Sequence, residues 1–309
     1  MIPGAERINQ VAPCETPTLH QLLTHTSGLS YAFNDGVLPR AMAENNIGFD
    51  NGTRPLAEAV DCAAALPLAF EPGKRWEYSV ATGVLGQVVE LVLGKSLDVV
   101  FQDEIFGPLG MAYTGFSVPV RLMARLATLY VAHENLQPVR TAAPKGGTRL
   151  HYVEGPSDTC FRNPVTLSGG GGLTGTLDDY MRFCEMLRLD GIAPAGQLLS
   201  PQRTAFMLRN HLPGDIASMG PTSFSEQSTR GIGFGLAGAV VLDPAQSGAP
   251  GNLGDFSWGG MASTVFWIDH HLDLSVIFLT QLAPSSSYPA RPELKALVHG
   301  AFTQGPNSI

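Results

Sequence analysis

The chain has 309 residues, of which 44% are apolar and 15% are charged, and its formal net charge is −8 at pH 7. This share of apolar residues is enough to build a sizeable core, which excludes a disordered chain. The mild acidity, without any block of like charges, argues against binding to a nucleic-acid backbone. The length suits two domains or one large one.

Cysteine usage and the lack of long apolar runs limit the function classes further. The chain has four cysteines but no Cys-x-x-Cys pair, so we expect buried free thiols rather than a redox or zinc site. No apolar run reaches the roughly 18 residues that a membrane span needs. The segment Met1–Arg7 lacks the basic and apolar regions of a signal peptide. Together these features favour a cytoplasmic protein.

The first half of the chain carries helical signals separated by loops. A short helix is predicted over Thr18–Leu23, followed by the loop Thr24–Leu29. Pro55, a residue favoured in the first helical turn, opens a second helix that continues through Leu66. A third helix has an apolar face and ends at Gly94. The residues of that face are Ala81, Val84, Leu85, Val88 and Val92.

The second half of the chain changes from helix to strands. Thr176, followed three residues later by Asp179, forms a capping pattern that begins a helix. Runs of β-branched and aromatic residues then predict strands over residues 233–242, 253–258, 262–268 and 273–280. The turn Asp269–Asp273 joins the last two strands, and a final helix is predicted near Pro292–Phe302.

This order of elements indicates an α+β fold in which an antiparallel sheet is flanked by helices. A helical region over approximately residues 50–230 is inserted in the sheet region, whose C-terminal strands and helix occupy residues 231–309. We expect residues 1–309 to form a single domain, and no internal repeat is present.

Several motifs that would indicate other chemistries are absent or incomplete. Glycines 169–172 are not followed by Gly-Lys-Ser/Thr, so a packing or turn role is predicted for them rather than phosphate binding. No Gly-x-Ser-x-Gly occurs, which excludes the nucleophile elbow of α/β hydrolases. His270 and His271 lie in a predicted turn and are interpreted as solvated. His20 and His25 are five residues apart, which does not place them on one helix face for a metal.

Three segments stand out together. They are Leu22–Leu29 with the sequence LLTHTSGL, Glu71–Val80 with the sequence EPGKRWEYSV, and Trp258–Gly260 followed by Thr264–Asp269. Their order and spacing resemble the serine β-lactamase/penicillin-binding-protein superfamily, and the nearest branch is that of the class C β-lactamases and family VIII carboxylesterases. The resemblance covers nearly the whole chain and implies a β-lactamase/transpeptidase-like fold.

The resemblance also implies roles for individual residues. The family acylates the Ser of a Ser-x-x-Lys motif, and a Tyr shares the proton transfer. Tyr78 matches the first position of the family's Tyr-x-Asn-type motif and is the implied base and acid. The N–H of Met261, which follows the position of a Lys-Thr-Gly-type triplet, would complete the oxyanion hole. The implied substrate-binding positions are Val80, Trp258, Gly259 and Gly260. No cofactor and no metal are implied.

The nucleophile motif of the family is missing from this sequence. The residues three positions before the four lysines are Glu71, Val92, Ala142 and Pro292, so no Ser-x-x-Lys exists. In the family that motif lies a few tens of residues before the His-Thr-Ser-Gly-Leu loop, whereas only 24 residues precede His25 here. We therefore expect the chain to be N-terminally incomplete and inactive by itself.

Two further departures from the family bear on the substrate. A Lys at position 258 would offer a cation to a substrate carboxylate, which Trp258 cannot do. An Asn at position 80 would hydrogen-bond a substrate amide, which Val80 cannot do. Both changes favour small-molecule carboxylic esters as substrates, which would be hydrolysed through an acyl-enzyme.

Two alternative functions stay open. A β-lactamase or D-Ala-D-Ala peptidase is one alternative, and a catalytically inactive homologue that acts as a binding protein is another. The oligomeric state stays open.

Overall fold

A computed structural model describes residues 1–2, 4–49, 54–132, 149–224, 227–285 and 287–302. The helices are α1 Leu19–Leu23, α2 Val37–Glu44, α3 Leu56–Ala64, α4 Ala81–Leu93, α5 Leu97–Phe101, α6 Gly107–Leu109, α7 Leu177–Arg188, α8 Pro201–Leu208, α9 Pro244–Ser247 and α10 Ala290–Ala301. The strands are β1 Leu129–Val131, β2 His151–Glu154, β3 Ile192–Ala193, β4 Gly196–Gln197, β5 Ser223–Phe224, β6 Gln227–Ser228, β7 Ile232–Phe234, β8 Ala239–Val241, β9 Phe256–Gly259, β10 Val265–Asp269, β11 Leu274–Phe278 and β12 Leu282–Ala283. Helices and mainly antiparallel sheets confirm the predicted α+β class.

The chain divides into two compact units, each built from more than one stretch of sequence. Unit 1 comprises Met1–Gly107, Tyr113–Leu122 and Cys160–Gly175. Unit 2 comprises Pro108–Ala112, Met123–Thr159 and Thr176–Ile309. Among the described residues, no helix is both long and apolar enough to cross a membrane.

In unit 1, helix α4 packs against α1, α3 and α5. The helix ends at Gly94 in a left-handed conformation with φ of 63°, as predicted. The predicted apolar face is wrong at Val92, whose surface is 74% exposed. The buried residues of α4 are Ala81, Gly83 and Gly86, because small residues let neighbouring segments approach the helix most closely and so set which side faces inwards.

The main sheet of unit 2 has the strand order β11-β10-β9-β8-β7, and every neighbouring pair is antiparallel. The last three predicted strands are confirmed as β9, β10 and β11. The single strand predicted over residues 233–242 is wrong, because the chain reverses within it. The Gly235 N–H donates to the Gly238 carbonyl over 2.7 Å, and Ala237 has φ of 67°, so β7 and β8 form a hairpin.

Within unit 2, helix α7 packs against the main sheet. Helix α7 packs on β10 and β11, and the ring of Tyr180 meets that of Phe266 edge-on with centroids 5.5 Å apart. The predicted cap of α7 is confirmed, since the Asp179 N–H donates to Thr176 Oγ1 over 3.2 Å. Helix α10 begins at Ala290, two residues before the predicted start.

A second, smaller sheet of unit 2 has the order β12-β1-β2. In it β1 runs parallel to β12, with Tyr130 opposite Leu282, and antiparallel to β2. The four cysteines are free. Cys184 on α7 is buried, as expected, but Cys14 is exposed, because it lies in an irregular segment before α1 that no helix or strand covers.

Candidate active site

In unit 1, the loop Thr24–Leu29 is fixed by backbone hydrogen bonds to the segment that leads to Tyr78. Helix α1 begins with a capping box between Thr18 and Gln21 and ends directly before this loop. The three bonds run from the Glu77 N–H to the His25 carbonyl over 3.0 Å, from the Gly73 N–H to the Thr26 carbonyl over 2.7 Å, and from the Ala69 N–H to the Gly28 carbonyl over 2.8 Å. The loop therefore supports the backbone on which Tyr78 is carried.

His25 is a buried member of this loop. Its backbone has φ of 55°, and its Nδ1 lies 3.1 Å from the Ser79 hydroxyl oxygen. Burial lowers the pKa of His25 from 6.5 to about 3, because the charged imidazolium would lose its hydration. The His25 ring is neutral at pH 7 and lies edge-on to the Tyr78 ring, with centroids 4.9 Å apart.

Aromatic rings surround the half-buried side chain of Tyr78. The Tyr31 ring lies 5.0 Å from the Tyr78 ring, and Phe33 stacks on Tyr31 at 4.8 Å. On the main chain, the Tyr78 carbonyl accepts a hydrogen bond of 2.9 Å from Asn34 Nδ2. Ring packing and this hydrogen bond fix the position of the Tyr78 ring and backbone.

The residue before Tyr78 is a partly buried carboxyl group. The Ser30 hydroxyl donates to Glu77 Oε1, and Asn34 Nδ2 donates to Ser30 Oγ over 3.0 Å. Burial raises the pKa of Glu77, while the Ser30 hydrogen bond and the nearby charge of Arg75 oppose that increase. The Asn34 amide thus joins the Glu77 network to the backbone of Tyr78.

Val80 and the glycine run lie against the first turn of α4. Val80 is the residue before the helix and is buried in the core of unit 1 with Leu97 and Phe116. A Cβ on Gly169 would lie 2.4 Å from the Thr82 carbonyl oxygen, so only glycine permits this approach. The packing role predicted for the glycine run is therefore confirmed at Gly169.

In unit 2, Trp258 lies near the end of β9 among aromatic side chains. Its ring stacks on that of Phe224 with centroids 5.9 Å apart, and it meets the Phe234 ring edge-on at 5.3 Å. In the sheet register Trp258 is opposite Phe266 of β10. The side chain at position 258 is thus part of an aromatic cluster and is not itself a cation.

Gly259, directly after Trp258, makes room for an arginine that the sequence did not single out. Arg291, in the first turn of α10, donates from Nη2 to the carbonyls of Gly260 over 2.7 Å and Thr264 over 3.1 Å. A Cβ on Gly259 would lie 2.6 Å from that nitrogen. No local pattern reveals this contact, because Arg291 is 31 positions from Gly260 and belongs to another element.

Met261 occupies the turn between β9 and β10. The turn is closed by hydrogen bonds from the Gly260 N–H to the Thr264 carbonyl over 3.0 Å and from the Ser263 N–H to the Gly260 carbonyl over 3.1 Å. Within the described ranges of the chain, the Met261 N–H forms no hydrogen bond, and its residue is 49% exposed. This N–H is available as a donor to an oxyanion.

The predicted site residues thus form two groups. Tyr78 and Val80 lie together in unit 1, on the segment entering α4. Trp258, Gly259 and Gly260 lie together in unit 2, at the end of β9 beside Met261. The first group offers a phenol on a hydrogen-bonded backbone, and the second offers an aromatic surface and a backbone N–H.

The buried neutral His25 predicts a pH dependence of stability. The pKa of His25 is lower in the folded state, so the unfolded chain takes up a proton at a higher pH than the folded chain does. The stabilisation from neutral His25 is therefore complete above about pH 6.5 and is lost as the pH falls towards 3. We expect the free energy of unfolding to fall in this window with a slope approaching about 1.4 kcal/mol per pH unit from this group. Urea unfolding at several pH values measures it.

A matched pair of variants isolates the contribution of His25. His25→Asn replaces the titrating ring by a side chain that tolerates positive φ, so the variant should lose stability less steeply as the pH falls from 6.5 to 4. His270→Asn makes the same change at an exposed position and should retain the slope of the unaltered chain. Equal slopes for His25→Asn and the unaltered chain would contradict the interpretation.

Known proteins are similar to this chain over most of its length. The Beta-lactamase family model matches residues 11–300. Protein Rv1367c of Mycobacterium tuberculosis (strain ATCC 25618 / H37Rv) is 35% identical over 277 residues, which cover 88% of this chain and 64% of that protein. Esterase EstB of Burkholderia gladioli is 33% identical over 279 residues, which cover 86% of this chain and 65% of that protein. The chain therefore spans slightly less than two thirds of the length of these curated relatives.

Among solved structures, EstCE1, described as a hydrolase with promiscuous acyltransferase activity, is similar to this chain with a TM-score of 0.74. It is 28% identical, and the match covers 92% of this chain and 72% of that one. The expected β-lactamase/transpeptidase-like fold and the resemblance to the serine β-lactamase/penicillin-binding-protein superfamily are both confirmed. The chain belongs to the Beta-lactamase family.

Proposed function

We propose that the whole protein hydrolyses small-molecule carboxylic esters through an acyl-enzyme. The observation that carries this proposal is the aromatic packing of Trp258 with Phe224 and Phe234. The family resemblance implies a lysine at this position, as the first residue of the Lys-Thr-Gly-type triplet. An apolar wall at this position suits the acyl chain of an ester, whereas the carboxylate of a β-lactam or peptide would require a cation there. The name of Esterase EstB, which is 33% identical, supports the same substrate class.

In this proposal Tyr78 is the proton-transfer residue. As base it takes the proton of the attacking serine hydroxyl, and as acid it gives that proton to the departing alcohol. The support is local: the Asn34 and Ser30 hydrogen bonds and the neighbouring rings hold the Tyr78 backbone and side chain in one position. Val80, buried below this segment, is proposed to shape the pocket through the packing of α4 rather than by a polar contact.

Met261 is proposed to stabilise the negative charge that develops on the substrate carbonyl oxygen. Its N–H lies in a turn whose geometry is fixed by two backbone hydrogen bonds and by the guanidinium group of Arg291. A rigid donor of this kind lowers the barrier because it needs no reorganisation when the oxyanion forms. Gly259 and Gly260 contribute by leaving space for Arg291 and the turn.

The serine nucleophile is proposed to lie outside these 309 residues, because no Ser-x-x-Lys occurs within them. One Ser–His pair in the chain, Ser79 with His25, resembles a nucleophile and its base in distance alone. Ser79 is 0% exposed, so an ester cannot reach its hydroxyl group. Ser27 is buried as well. Neither serine is therefore assigned as the nucleophile.

The proposed reaction has two steps. The serine oxygen attacks the ester carbonyl, the bond to the alcohol breaks, and the alcohol leaves with the proton that Tyr78 carries. Water then attacks the acyl-enzyme, and the carboxylic acid leaves as the serine regains its proton. An alcohol in place of water would give acyl transfer, and the acyltransferase activity in the name of EstCE1 favours this second outcome as a side reaction.

Covalent labelling tests where the nucleophile lies. A fluorophosphonate probe should label the whole protein on one serine and should leave the 309-residue chain unlabelled, because no Ser-x-x-Lys motif occurs in its sequence. Mass spectrometry of the digested proteins identifies the labelled residue. Labelling of any serine between Met1 and Ile309 would contradict the assignment.

The same samples test the alternative functions. An acyl-enzyme that accumulates with a short-chain aryl ester and disappears on hydrolysis supports the esterase proposal. A whole protein that binds the ester reversibly but never forms an acyl-enzyme would instead support the inactive, ligand-binding homologue. Faster acylation by a β-lactam than by the ester would support the β-lactamase or peptidase alternative.

A further inference from the structure

Two acidic side chains are buried next to each other in the sheet of unit 2. Asp255 lies directly before β9 and Asp269 ends β10, and the register pairs their neighbours Phe256 and Ile268. Asp255 is 1% exposed and Asp269 is fully buried. Two carboxylates in such a position repel each other and lose their hydration, so each requires specific partners.

The two carboxylates differ in how well their oxygens are paired. Asp269 accepts hydrogen bonds from the N–H groups of His271 and Leu272, each over 2.9 Å, and from Asn252 Nδ2 over 2.7 Å. Asp255 Oδ2 lies 3.0 Å from Lys295 Nζ on α10. Asp255 Oδ1 is buried and has no hydrogen-bond partner within the described parts of the chain.

His299, the third residue of the cluster, also has an unpaired atom. His299 lies one helical turn after Lys295 on α10, and its Nε2 is also buried without a hydrogen-bond partner among the described residues. One ligand atom from each of Asp255, Asp269 and His299 lies within 4.8 Å of the other two.

We propose that Asp255, Asp269 and His299 bind a divalent transition-metal ion of the zinc class. Carboxylate oxygen and imidazole nitrogen are suitable ligands for Zn²⁺, and three protein ligands with one water complete a tetrahedral site. Zinc–ligand bonds of about 2.0–2.2 Å place the ligand atoms of a tetrahedral site about 3.4 Å apart. The three ligand atoms here lie within 4.8 Å of one another, so small side-chain movements would bring them to bonding distance of one ion.

The surrounding charges are compatible with this ion. Two carboxylates and the ammonium group of Lys295 leave one negative charge before the metal binds. Lys295 occupies Oδ2 of Asp255, so the ion would take the unpaired Oδ1. The Asn252 side chain donates a hydrogen bond to the Asp269 carboxylate, and metal-binding carboxylates commonly have such hydrogen-bond partners that orient them.

The ion would join β9, β10 and α10 in unit 2. Helix α10 also carries Arg291, which holds the turn around Met261. Metal binding is therefore expected to stabilise the helix that supports this turn. The inference does not depend on the esterase proposal, because it concerns binding by this chain alone.

Titration of Zn²⁺ into the chelator-treated chain, followed by calorimetry, tests the site. We expect one ion per chain, a Zn²⁺-dependent rise in the unfolding temperature, and the visible absorption of tetrahedral Co²⁺ when cobalt replaces zinc. His299→Gln should weaken binding at least tenfold and abolish the rise. Asp255→Asn should do the same, and if that variant fails to fold, His299→Gln still decides the question because its ring makes no hydrogen bond through Nε2 that folding requires.

The matched control is the double variant His270→Gln/His271→Gln. Both histidines are exposed and lie in the turn beside Asp269, so they are surface groups near the site that could bind zinc without a built site. The double variant should keep the stoichiometry and affinity of the unaltered chain. The proposal is overturned if the unaltered chain binds no Zn²⁺, or if binding survives His299→Gln and is lost in the double variant.

Discussion

Tyr78→Phe is expected to lower kcat of the whole protein on a short-chain aryl ester by about 10²–10⁴-fold while KM changes little. The substitution removes only the phenol oxygen, so the ring contacts with His25 and Tyr31 and the hydrogen bond from Asn34 to the backbone carbonyl remain. The loss falls on the transition state because proton transfer, and not substrate binding, requires the oxygen. Steady-state kinetics on the purified variant give both parameters.

Tyr152→Phe is the control for this experiment. In this variant Tyr152 on β2 also loses its phenol oxygen. That hydroxyl has no role in the proposed chemistry, and it donates a hydrogen bond of 2.5 Å to Asp158. This control should retain the kcat of the unaltered protein. If Tyr78→Phe were as active as Tyr152→Phe, the proton-transfer role of Tyr78 would be wrong.

The whole protein should turn over a short-chain aryl ester much faster than a chromogenic cephalosporin. Trp258 offers no cation to the cephalosporin carboxylate, and the buried Val80 offers no amide to its side chain. Each lost polar contact to a buried substrate group costs about 1–3 kcal/mol, so two losses correspond to a difference of about tens to thousands of fold. The ratio of kcat/KM for the two substrates measures the preference.

Substitution at position 258 sharpens this comparison. Trp258→Phe keeps an aromatic ring between Phe224 and Phe234 and should keep the preference for the ester. Trp258→Lys introduces a cation in the same place and should move the ratio towards the cephalosporin. A protein that prefers the cephalosporin without any substitution would show that the apolar wall does not set the substrate class.

Local sequence patterns predicted those parts of the fold that depend on neighbouring residues. Thr176 and Asp179 mark the start of α7, and Gly94 marks the end of α4, because caps are formed within one turn of the helix. The hairpin within residues 233–242 was missed, because a reversal at Gly235–Gly238 is hidden within a run of apolar and glycine residues. Only the register of the finished sheet decides between one strand and two.

The site shows the same limit. Tyr78 and Trp258 were singled out by motifs of contiguous residues, whereas the contact of Arg291 with Gly260 joins segments that are distant in the sequence. The burial of His25 could not be predicted either, because polar residues of a loop are usually exposed. Long-range contacts of this kind have no periodic signature.

The pairing of β1 with β12 has a consequence for how the protein folds. Tyr130 meets Leu282, a residue 152 positions later in the chain, and the two strands are parallel. Closing so long a loop costs conformational entropy before any contact offsets it, so this pair is expected to form late and slowly. On the ribosome, β1 emerges long before its partner is synthesised. Until then its exposed edge has only β2 as a neighbour, and chaperone binding at this stage would protect it from pairing with other chains.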